Sequence, residues 1–494
     1  MAMHGKHTMC EDARTKEQSP HKDWGALIFV VAVMVALSLP FVCMPFAPTN
    51  DEAELQELAV WPKLSDDGAI NVDYLSEAGA YFDDHFAFRQ QIITANAHLF
   101  AQGLETSPTS QVVVGSDGWL YYAGTMADYQ RTALLSDRAI DNAAFNVSLM
   151  QRYAQEQGAQ FLLMVAPNKN SLYSQNMPYY ELAGTGPGNA ERLQLAFDDY
   201  GVNTLNLFDL LGADERVLYM KTDTHWNTEG ARIAYDAALN ALDIEHDDYL
   251  NAAVTWDDSF VGDLEAMLYL VGRTPEAVEV YEAAQRFSYT NEATSVQDAD
   301  IATASQSEQT QGSLVMYRDS FGNALLPFFA TQFKQASFTK LEPYNAVVIA
   351  EQQADVVIVE RAERHLEFFA TNPPILPAQE VDNVGVDYAV ETTSTVTAEV
   401  NGPYIKISGV LDEVYVPNNS AIYVGVESDD GQVRYYEACR QSVVGEDGQS
   451  IENDYGYLAR VVADDIPESS FTMHIVVAGE TSSCEVASMT YEGV

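Results

Sequence analysis

Predicted strands and helices alternate along the middle of the chain, and this alternation limits the fold more than any other feature of the sequence. The predicted strands are residues 161–166, 202–207, 314–317 and 355–360, and the predicted helices are residues 136–157, 190–200, 228–242, 322–332 and one that begins near residue 361. Such alternation is typical of an α/β fold, a parallel sheet flanked by helices on both faces. Chemistry in these folds collects at the carboxyl ends of the strands, where Asn168, Lys169 and Ser320 are placed.

Two short motifs, residues 221–227 and 317–323, carry the strongest chemical signal. The first contains Asp223 and His225, whose side chains point to the same side if the backbone is extended or in a turn. The second places Ser320 between an apolar strand and a helix. A serine hydroxyl becomes a nucleophile when a base lies within hydrogen-bond reach and a third group orients that base. The two motifs therefore predict Ser320 as nucleophile, His225 as base and Asp223 as its orienting partner.

The turn around Ser320 also suggests how negative charge is stabilised. The next helix is predicted to begin almost at once, so the hydroxyl and the backbone N–H of Ser320 lie at a helix N-terminus. This arrangement can supply part of an oxyanion hole, and Asn168 is a candidate for a second donor. Thr228 is predicted to cap the helix that follows His225.

Each of these motifs also fits a structural role. An Asp-x-His or a strand-Asp-Ser-helix sequence is often only a turn or a cap, and Asn168 with Lys169 can be a generic polar strand end. Trp226 fits a sugar-stacking platform and a core position equally well. Asp263, which follows a glycine, fits a turn.

The other histidines in these regions have simple structural interpretations. His85 lies between acidic and aromatic residues on a predicted helix, His246 lies in an acidic segment that fits a solvated loop, and His365 fits a helix surface with ion pairs. No His or Cys cluster has metal-ligand spacing, so we predict neither a metal site nor a cofactor. A metal hydrolase that uses Asp223 and His225 is a weaker alternative.

Residues 24–46 form an uncharged apolar stretch that is long enough to cross a bilayer. Basic residues precede it, at Lys6, Arg14, Lys16 and Lys22, whereas acidic residues dominate directly after it. This asymmetry predicts a retained single-pass membrane anchor with its N-terminus in the cytosol and the bulk of the chain outside the cell. A cleaved signal peptide is the alternative, but the apolar run is long for one and no clear cleavage site follows it.

The charge of the chain excludes one large class of partners. With 25 basic and 73 acidic residues the net charge is −48, which repels DNA, RNA and anionic membrane surfaces. We therefore predict no nucleic-acid binding. Cys439 and Cys484 lie in the part placed outside the cell, where a disulfide between them is chemically permitted.

At 494 residues the chain is too long for one ordinary domain. Residues 111–122 predict a hairpin, and the polar residues 290–311 predict a surface loop or lid. Beyond residue 377, short β-rich runs separated by turns predict a β-sandwich. The predicted segments are a cytosolic tail (1–23), a transmembrane anchor (24–46), a stalk (47–71), a catalytic α/β domain (72–377) and a β-sandwich domain (378–494).

Several blocks of the sequence, taken in order, resemble the DHHW proteins, which are relatives of the alginate O-acetyltransferases in the SGNH-hydrolase-like group. The blocks are residues 82–89, 114–121, 166–169, 222–227, 262–264, 318–322 and 360–364. As in the alginate relatives, and unlike ordinary SGNH hydrolases, the Asp-x-His motif precedes the serine. Arg318 is a departure, because glycine commonly precedes Asp-Ser in SGNH enzymes.

The resemblance implies catalysis by Ser320, His225 and Asp223 in the O-acetylation of a polysaccharide or cell-wall glycan, often together with a membrane-bound acyltransferase. We expect Asn168, Lys169, Arg318 and Trp226 to form the oxyanion hole or bind substrate. An acetyl-serine intermediate on Ser320 would pass its acetyl group to a sugar in a transferase and to water in an acetyl esterase. A non-catalytic surface protein that binds glycans is the alternative from a different class.

Overall fold

The computed structural model describes residues 24–46, 58–66, 69–308, 310–417, 419–428, 431–445, 448, 450–466 and 470–492. Its helices are α1 (Trp24–Cys43), α2 (Tyr74–His85), α3 (Arg89–Gly103), α4 (Met126–Gln130), α5 (Asp137–Glu156), α6 (Lys169–Leu172), α7 (Asn189–Asp199), α8 (Leu207–Gly212), α9 (Thr228–Ala241), α10 (Asp263–Leu268), α11 (Gly322–Gln332), α12 (Val347–Glu351) and α13 (Phe368–Thr371). The predicted cytosolic tail, its basic residues and much of the predicted stalk lie outside the described residues.

The strands complete the list of regular elements in the described part of the chain. They are β1 (Ser65–Asp66), β2 (Ala69–Ile70), β3 (Val112–Val114), β4 (Leu120–Tyr122), β5 (Gln160–Ala166), β6 (Thr204–Leu205), β7 (Val254–Asp257), β8 (Val278–Tyr281), β9 (Phe287–Tyr289), β10 (Asp300–Ser305), β11 (Ser313–Tyr317), β12 (Gln335–Thr339), β13 (Val356–Ala362), β14 (Glu380–Val381), β15 (Tyr388–Ala389), β16 (Thr397–Asn401), β17 (Tyr404–Val410), β18 (Ala421–Glu427), β19 (Val433–Glu437), β20 (Cys439–Val444), β21 (Ile451–Val462), β22 (Ser470–Ala478) and β23 (Ser483–Glu492).

The chain divides into two compact units, Met1–Asn96 with Leu270–Gly272, and Ala97–Tyr269 with Arg273–Val494. In the first unit, α1 has a mean hydropathy of 2.8 over its 18-residue window and none of that window is buried. Its length and composition suffice to cross a membrane, as predicted. The ring of His85 on α2 stacks on Tyr81 at 4.0 Å, which fits the structural role expected for it.

The second unit is built on a seven-stranded sheet with the order β6-β5-β13-β11-β12-β10-β9. Strands β6, β5, β13, β11 and β12 are parallel, whereas β10 and β9 are antiparallel additions at one edge. Helices α5 and α7 cover one face of the sheet, and α9 and α11 cover the other. Strand β5 shows why both faces are apolar: Leu162 and Met164 enter one core, and Phe161 and Leu163 enter the other. The predicted α/β fold is confirmed.

Two predictions of local structure in this unit are wrong. Residues 300–305, predicted as part of a loop, form β10, because Ile301 and Thr303 alternate inward and are buried, whereas the residues between and beside them are more exposed. The helix predicted near residue 361 does not begin there, because β13 continues to Ala362 and every one of its residues is buried. A short 3₁₀ turn, Glu363–His365, follows instead.

The C-terminal region forms the predicted β-sandwich. A six-stranded sheet (β14-β19-β18-β22-β23-β15) and a four-stranded sheet (β16-β17-β21-β20) enclose a common apolar core. Strand β20 was not predicted. Cys439 on β20 packs in the core beneath α5, whereas Cys484 packs inside the sandwich. Both thiols are free, so the permitted disulfide does not form, because the two side chains belong to different cores. The domain boundaries at residues 72 and 378 stay predictions.

Buried polar contacts join β20 to α5. The Asn146 side chain donates to the carbonyls of Arg440 (2.7 Å) and Phe369 (2.8 Å) and accepts from the Arg440 amide (3.1 Å). Asn146 is 1% exposed, so water cannot replace these bonds. These contacts therefore hold the sandwich against α5, which covers one face of the seven-stranded sheet.

Replacing Asn146 with Ala is expected to lower the free energy of unfolding by about 2–3 kcal/mol, because it leaves buried backbone groups unpaired. Urea unfolding followed by circular dichroism measures the loss. The exposed Asn240→Ala variant is the control and should stay within about 0.5 kcal/mol of the wild type. A loss for Asn146→Ala as small as the control's would contradict a coupling between the sandwich and α5.

Candidate active site

The structure brings Asp223, His225 and Ser320 together at the carboxyl edge of the sheet. Ser320 follows β11 and directly precedes the N-terminal turn of α11. Its Oγ lies 2.8 Å from Nε2 of His225. The other ring nitrogen, Nδ1, lies 2.7 Å from Oδ1 of Asp223. With Nδ1–H donating to the carboxylate, Nε2 is free to accept the serine proton.

Asp223 is a buried carboxylate with several N–H donors. Its Oδ1 also accepts from the backbone amide of His225 at 2.9 Å, and its Oδ2 accepts from the backbone amide of Asp263 at 2.9 Å. Burial raises the pKa of Asp223, but the hydrogen bonds and charge of His225 and the backbone amides outweigh burial and hold the pKa below its usual value. The carboxylate is therefore ionised and fixed against the imidazole at neutral pH.

Asp263 takes part in the site, although its sequence context suggested only a turn. Its Oδ1 accepts from the Thr224 amide (2.8 Å) and its Oδ2 from the Thr224 hydroxyl (2.6 Å). Oδ2 also lies 3.9 Å from Nδ1 of His225. Burial and the neighbouring charge of Asp223 raise the pKa of Asp263. Asp263 thus pins the turn that presents the imidazole, and only the preceding glycine signalled this role in the sequence.

Gly262 allows Asp263 to approach that turn closely. A Cβ at position 262 would lie 2.2 Å from the carbonyl oxygen of Thr222 and 2.9 Å from the amide nitrogen of Asp223. Both are backbone atoms, which cannot move aside as a flexible side chain can. The glycine is therefore required by the close contact of two loops.

Lys169 was expected to face a substrate, but it does not line the cleft. It holds the loop that carries Asp223 instead. Its buried ammonium donates to the carbonyls of Met220 (3.0 Å), Lys221 (3.0 Å) and Asp223 (2.6 Å). Burial lowers its pKa to about 7, although Asp223 and Asp263 act in the opposite direction. The three carbonyls use every donor of an ammonium group, which leaves none for a substrate.

Arg318 is also a buried structural cation and not a cleft residue. Its terminal nitrogens donate to Asn323 Oδ1 (2.6 Å) and to the carbonyls of Val296 (3.0 Å) and Asp298 (2.9 Å). Burial lowers its pKa to about 10, so it stays charged at neutral pH. Because the guanidinium is buried, it cannot contact a substrate in the cleft.

Trp226 and Asn168 are likewise enclosed. Trp226 is part of the cleft wall, but the residue is only 1% exposed and its indole donates to the Phe321 carbonyl at 3.1 Å, so almost none of its surface is open to a sugar. The side chain of Asn168 is buried, and neither of its polar atoms has a partner among the described residues. Asn168 does not line the cleft, but an unpaired buried amide is uncommon in folded proteins.

The turn that carries Ser320 rests on a pair of buried acids. Asp319 accepts from the amides of Phe321 (2.9 Å) and Ala362 (2.8 Å), and its own amide donates to Glu360 (3.1 Å). Burial raises the pKa of Asp319, but hydrogen bonds from His365 and these amides have a larger, opposite effect. The pKa is therefore lower than usual, and Asp319 stays ionised. Burial and the Asp319 charge raise the pKa of Glu360 well above its usual value.

The backbone amides near Ser320 differ in their partners. The Phe321 amide is used by Asp319. In the part of the chain that the structure describes, the amides of Ser320 and Gly322 have no hydrogen-bond acceptor. Both lie at the N-terminus of α11, where the helix dipole favours negative charge. They are therefore free to bind an oxyanion.

The cleft above Ser320 has a volume of about 470 Å³. It also contains His225, Asp223 and Asp263, and its walls are largely apolar. The other wall residues are Met220, Trp226, Asn227, Thr228, Phe260, Val261, Val278, Val296, Gln297, Phe321, Asn323 and Ala324. Asn227 caps α9 by accepting from the Gly230 amide at 2.9 Å, so the cap predicted at Thr228 was placed one residue too late.

One group of described residues has the composition of a metal site. Ligand atoms of Asp223, His225 and Asp263 lie within 4.8 Å of one another. However, these atoms are already engaged: Asp223 bonds His225, and Asp263 bonds Thr224. The group is thus satisfied as a hydrogen-bonded network.

Two other histidines among the described residues lie outside the cleft. His246, expected in a solvated loop, has a side chain that is only 6% exposed and that bonds Asp236 (2.9 Å) and the Ile244 carbonyl (2.7 Å). His365, expected on a helix surface, lies in the 3₁₀ turn with Nδ1 3.4 Å from Oδ2 of Asp319. Neither contact was visible in the sequence, because both partners are supplied by the tertiary fold.

Comparison with known proteins identifies a similar family. A family model described as "SGNH hydrolase-like domain, acetyltransferase AlgX" matches residues 112–312. The chain carries an SGNH hydrolase-like domain. The resemblance predicted from the sequence is thereby confirmed. The matched stretch contains Asp223 and His225 and ends before Ser320.

Individual relatives of this SGNH hydrolase-like domain show more distant similarity. A probable alginate O-acetylase AlgJ from Pseudomonas syringae pv. tomato is 25% identical over 168 residues, which span 33% of this chain and 41% of that protein. A DHHW family protein from Eubacterium siraeum is 16% identical, with a TM-score of 0.41 over 52% of this chain and 92% of that one. PatB1 from Bacillus cereus is 18% identical, with a TM-score of 0.42 over 52% and 98%.

Replacing Gly262 with Ala is expected to displace the Asp223 turn and lower kcat at least about tenfold, because a shift of about 1 Å in a catalytic group can cost a hundredfold. Steady-state hydrolysis of 4-nitrophenyl acetate measures the effect. Gly186→Ala is the control, since a Cβ there meets no atom within 4 Å. Equal kcat values for the two variants would show that the loop contact does not position Asp223.

Glu363 gives the fold a predicted pH dependence. Its carboxylate accepts from the Asn168 amide (2.8 Å) and the Ser171 hydroxyl (2.6 Å). Burial raises its pKa to about 7, above the unfolded value of about 4.3. The folded state therefore holds a proton that the unfolded state has lost, and this contribution to stability disappears as the pH rises from about 4 to 7.

Glu363→Gln does not titrate, so its free energy of unfolding is expected to change less between pH 5 and pH 8 than that of the wild type. The change in the free energy of unfolding between the two pH values should differ by roughly 2 kcal/mol between the two proteins. Each pKa unit is worth about 1.4 kcal/mol, and partial exposure screens the charge. Urea unfolding at both pH values measures it, with the exposed Glu292→Gln as control. Parallel slopes for wild type and Glu363→Gln would refute the raised pKa.

Proposed function

We propose that this chain is a membrane-anchored, cell-surface O-acetyltransferase that acts on a polysaccharide or cell-wall glycan through an acetyl-Ser320 intermediate. The observation that carries the proposal is the continuous contact from Ser320 Oγ to His225 Nε2 (2.8 Å) and from His225 Nδ1 to Asp223 (2.7 Å). The match to a family described as an acetyltransferase supports the same reaction class.

In the first half-reaction, Ser320 attacks the carbonyl carbon of an acetyl ester. His225 takes the serine proton as the new C–O bond forms and then gives that proton to the departing alcohol. Asp223 holds the Nδ1–H tautomer and stabilises the imidazolium. The products are acetyl-Ser320 and the free alcohol of the donor.

The negative charge of the tetrahedral intermediate falls on the former carbonyl oxygen. We assign the amides of Ser320 and Gly322, which have no acceptor among the described residues, as the candidate donors to it. Asn168 is the candidate for a further donor, because its side-chain amide lacks a hydrogen-bond partner. It must rotate toward the cleft to reach a substrate.

In the second half-reaction, His225 deprotonates a sugar hydroxyl, which attacks acetyl-Ser320. The ester moves to the sugar, and the serine recovers its proton from His225. If water takes the place of the sugar, the same steps make the protein an acetyl esterase. The imidazole of His225 is 21% exposed, so water reaches the base, and the esterase is the second candidate.

The cellular setting follows from α1. A helix of this length and hydropathy is suited to anchor the chain in the cell membrane, with the N-terminus in the cytosol and the site outside. The resemblance to the alginate O-acetyltransferases implies that acetyl groups are supplied to the site across the membrane. A membrane-bound acyltransferase is the partner that would provide them.

Ser320→Ala is expected to lower acetyl-ester turnover at least about a thousandfold, because the nucleophile is lost. The test uses the full-length chain in detergent and follows release of 4-nitrophenol from 4-nitrophenyl acetate. A sulfonyl fluoride should label the wild type at Ser320, as found by mass spectrometry. Unchanged turnover in Ser320→Ala would refute the proposal, whereas no turnover by the wild type would favour a glycan-binding protein without catalysis.

Two controls make this test specific. The exposed Ser259→Ala should keep full turnover. Incubation with a chelator should also leave turnover unchanged; a loss that added Zn²⁺ restores would favour a metal hydrolase built on Asp223, His225 and Asp263.

A further inference from the structure

We propose that Gln297 and Asn323 form an acceptor-binding rim on the Ser320 cleft, and that buried Arg318 fixes the direction of their hydrogen bonds. The inference rests on the proposed acyl transfer and adds to it the residues that favour a sugar over water as acceptor. Gln297 and Asn323 both line the cleft that contains Ser320 and His225.

The starting point is the guanidinium of Arg318, which is 0% exposed and can only donate. It donates to Oδ1 of Asn323 at 2.6 Å. Asn323 must therefore turn its oxygen toward Arg318 and its NH₂ group away from it. In most asparagines the side-chain oxygen and nitrogen can exchange places by a roughly 180° flip of the amide group. Here a buried positive charge sets the orientation.

The fixed orientation of Asn323 in turn sets the orientation of the Gln297 amide. Nδ2 of Asn323 donates to Oε1 of Gln297 at 2.9 Å. Gln297 must then present its own NH₂ group outward. Gln297 is exposed, and within the described part of the chain no acceptor is assigned to its Nε2. The rim therefore offers N–H donors to a molecule in the cleft. They are the two N–H groups of the Gln297 amide and the one N–H group of the Asn323 amide that does not bond Gln297.

The backbone of the rim is held as well. Arg318 donates to the carbonyls on both sides of Gln297, those of Val296 and Asp298. The ammonium of Lys340 donates to the carbonyl of Gln297 itself at 3.2 Å. One buried cation thus fixes both the position of the loop and the polarity of its side chain, which reduces the entropy lost on binding.

A rim that only donates is suited to a sugar acceptor. It binds lone pairs of hydroxyl or ring oxygens and leaves the hydroxyl protons free, so the attacking hydroxyl can still give its proton to His225. A sugar carries several oxygens, so one can accept from the rim while another attacks acetyl-Ser320, whereas a water molecule has only one oxygen. The rim therefore raises acetyl transfer relative to hydrolysis.

The test compares acetyl transfer with hydrolysis in the full-length chain. The donor is 4-nitrophenyl acetate, and the acceptors are chitopentaose and xylopentaose, with acetylated products counted by mass spectrometry. Gln297→Leu removes the donors, and Gln297→Glu keeps the bond to Asn323 but presents an acceptor outward. Gln306→Leu is the matched control, because this exposed amide bonds the Phe287 carbonyl and does not line the cleft.

We expect the acceptor concentration for half-maximal transfer to rise about tenfold in Gln297→Leu, the loss typical of one or two neutral hydrogen bonds. It should rise further in Gln297→Glu, because carboxylate and acceptor lone pairs repel, while Gln306→Leu matches the wild type. Asn323→Asp, which still accepts from Arg318 but cannot donate to Gln297, should resemble Gln297→Glu.

Three results would overturn the proposal: equal transfer-to-hydrolysis ratios in all variants, tighter acceptor binding in Gln297→Glu than in Gln297→Leu, or no transfer by the wild type to either oligosaccharide. Each is distinct from failure of the proposed function. That failure would appear as release of 4-nitrophenol that does not depend on Ser320, whatever the acceptor.

Discussion

The buried carboxylate of Asp223 is the constraint on which the site depends. A charge removed from water is tolerated only when hydrogen bonds replace its hydration. Here the ring and amide of His225 and the amide of Asp263 provide them, and Lys169 holds the carbonyl of the same residue. These contacts fix the imidazole so that its free nitrogen faces Ser320. The loops that meet there come from distant parts of the chain, and Gly262 allows them to approach.

A second set of buried ionisable groups lies beneath Ser320. Asp319 stays ionised through backbone amides, Glu360 keeps a raised pKa beside it, and Arg318 lies against the same turn. None of the three contacts the cleft, yet together they fix the backbone that presents Ser320 and leave two amides at the start of α11 unpaired. Structural charges thus shape a site whose own surface is mostly apolar.

The sequence was informative where local chemistry decides the outcome. Strand and helix periodicity predicted the sheet and its helices, and the positions of Ser320, His225 and Asp223 after strands and turns predicted that they would meet. It failed where burial reverses the usual meaning of a residue. Lys169, Arg318 and Trp226 were expected to bind substrate because polar and aromatic groups near a site often do, but the fold encloses all three. Asp263 was expected in a turn because it follows a glycine, and its contacts with Thr224 were not foreseen because the two residues lie far apart in sequence.

What the sequence determined by itself is the order of elements, the apolar helix near the N-terminus and the chemical types present at the sheet edge, since these follow from periodicity, hydropathy and motif. Only the tertiary structure decided which polar groups face the cleft and which donate to backbone carbonyls instead, because that depends on contacts between residues far apart in the chain. The same is true of Cys439 and Cys484: composition permitted a bond, and packing in separate cores prevents it.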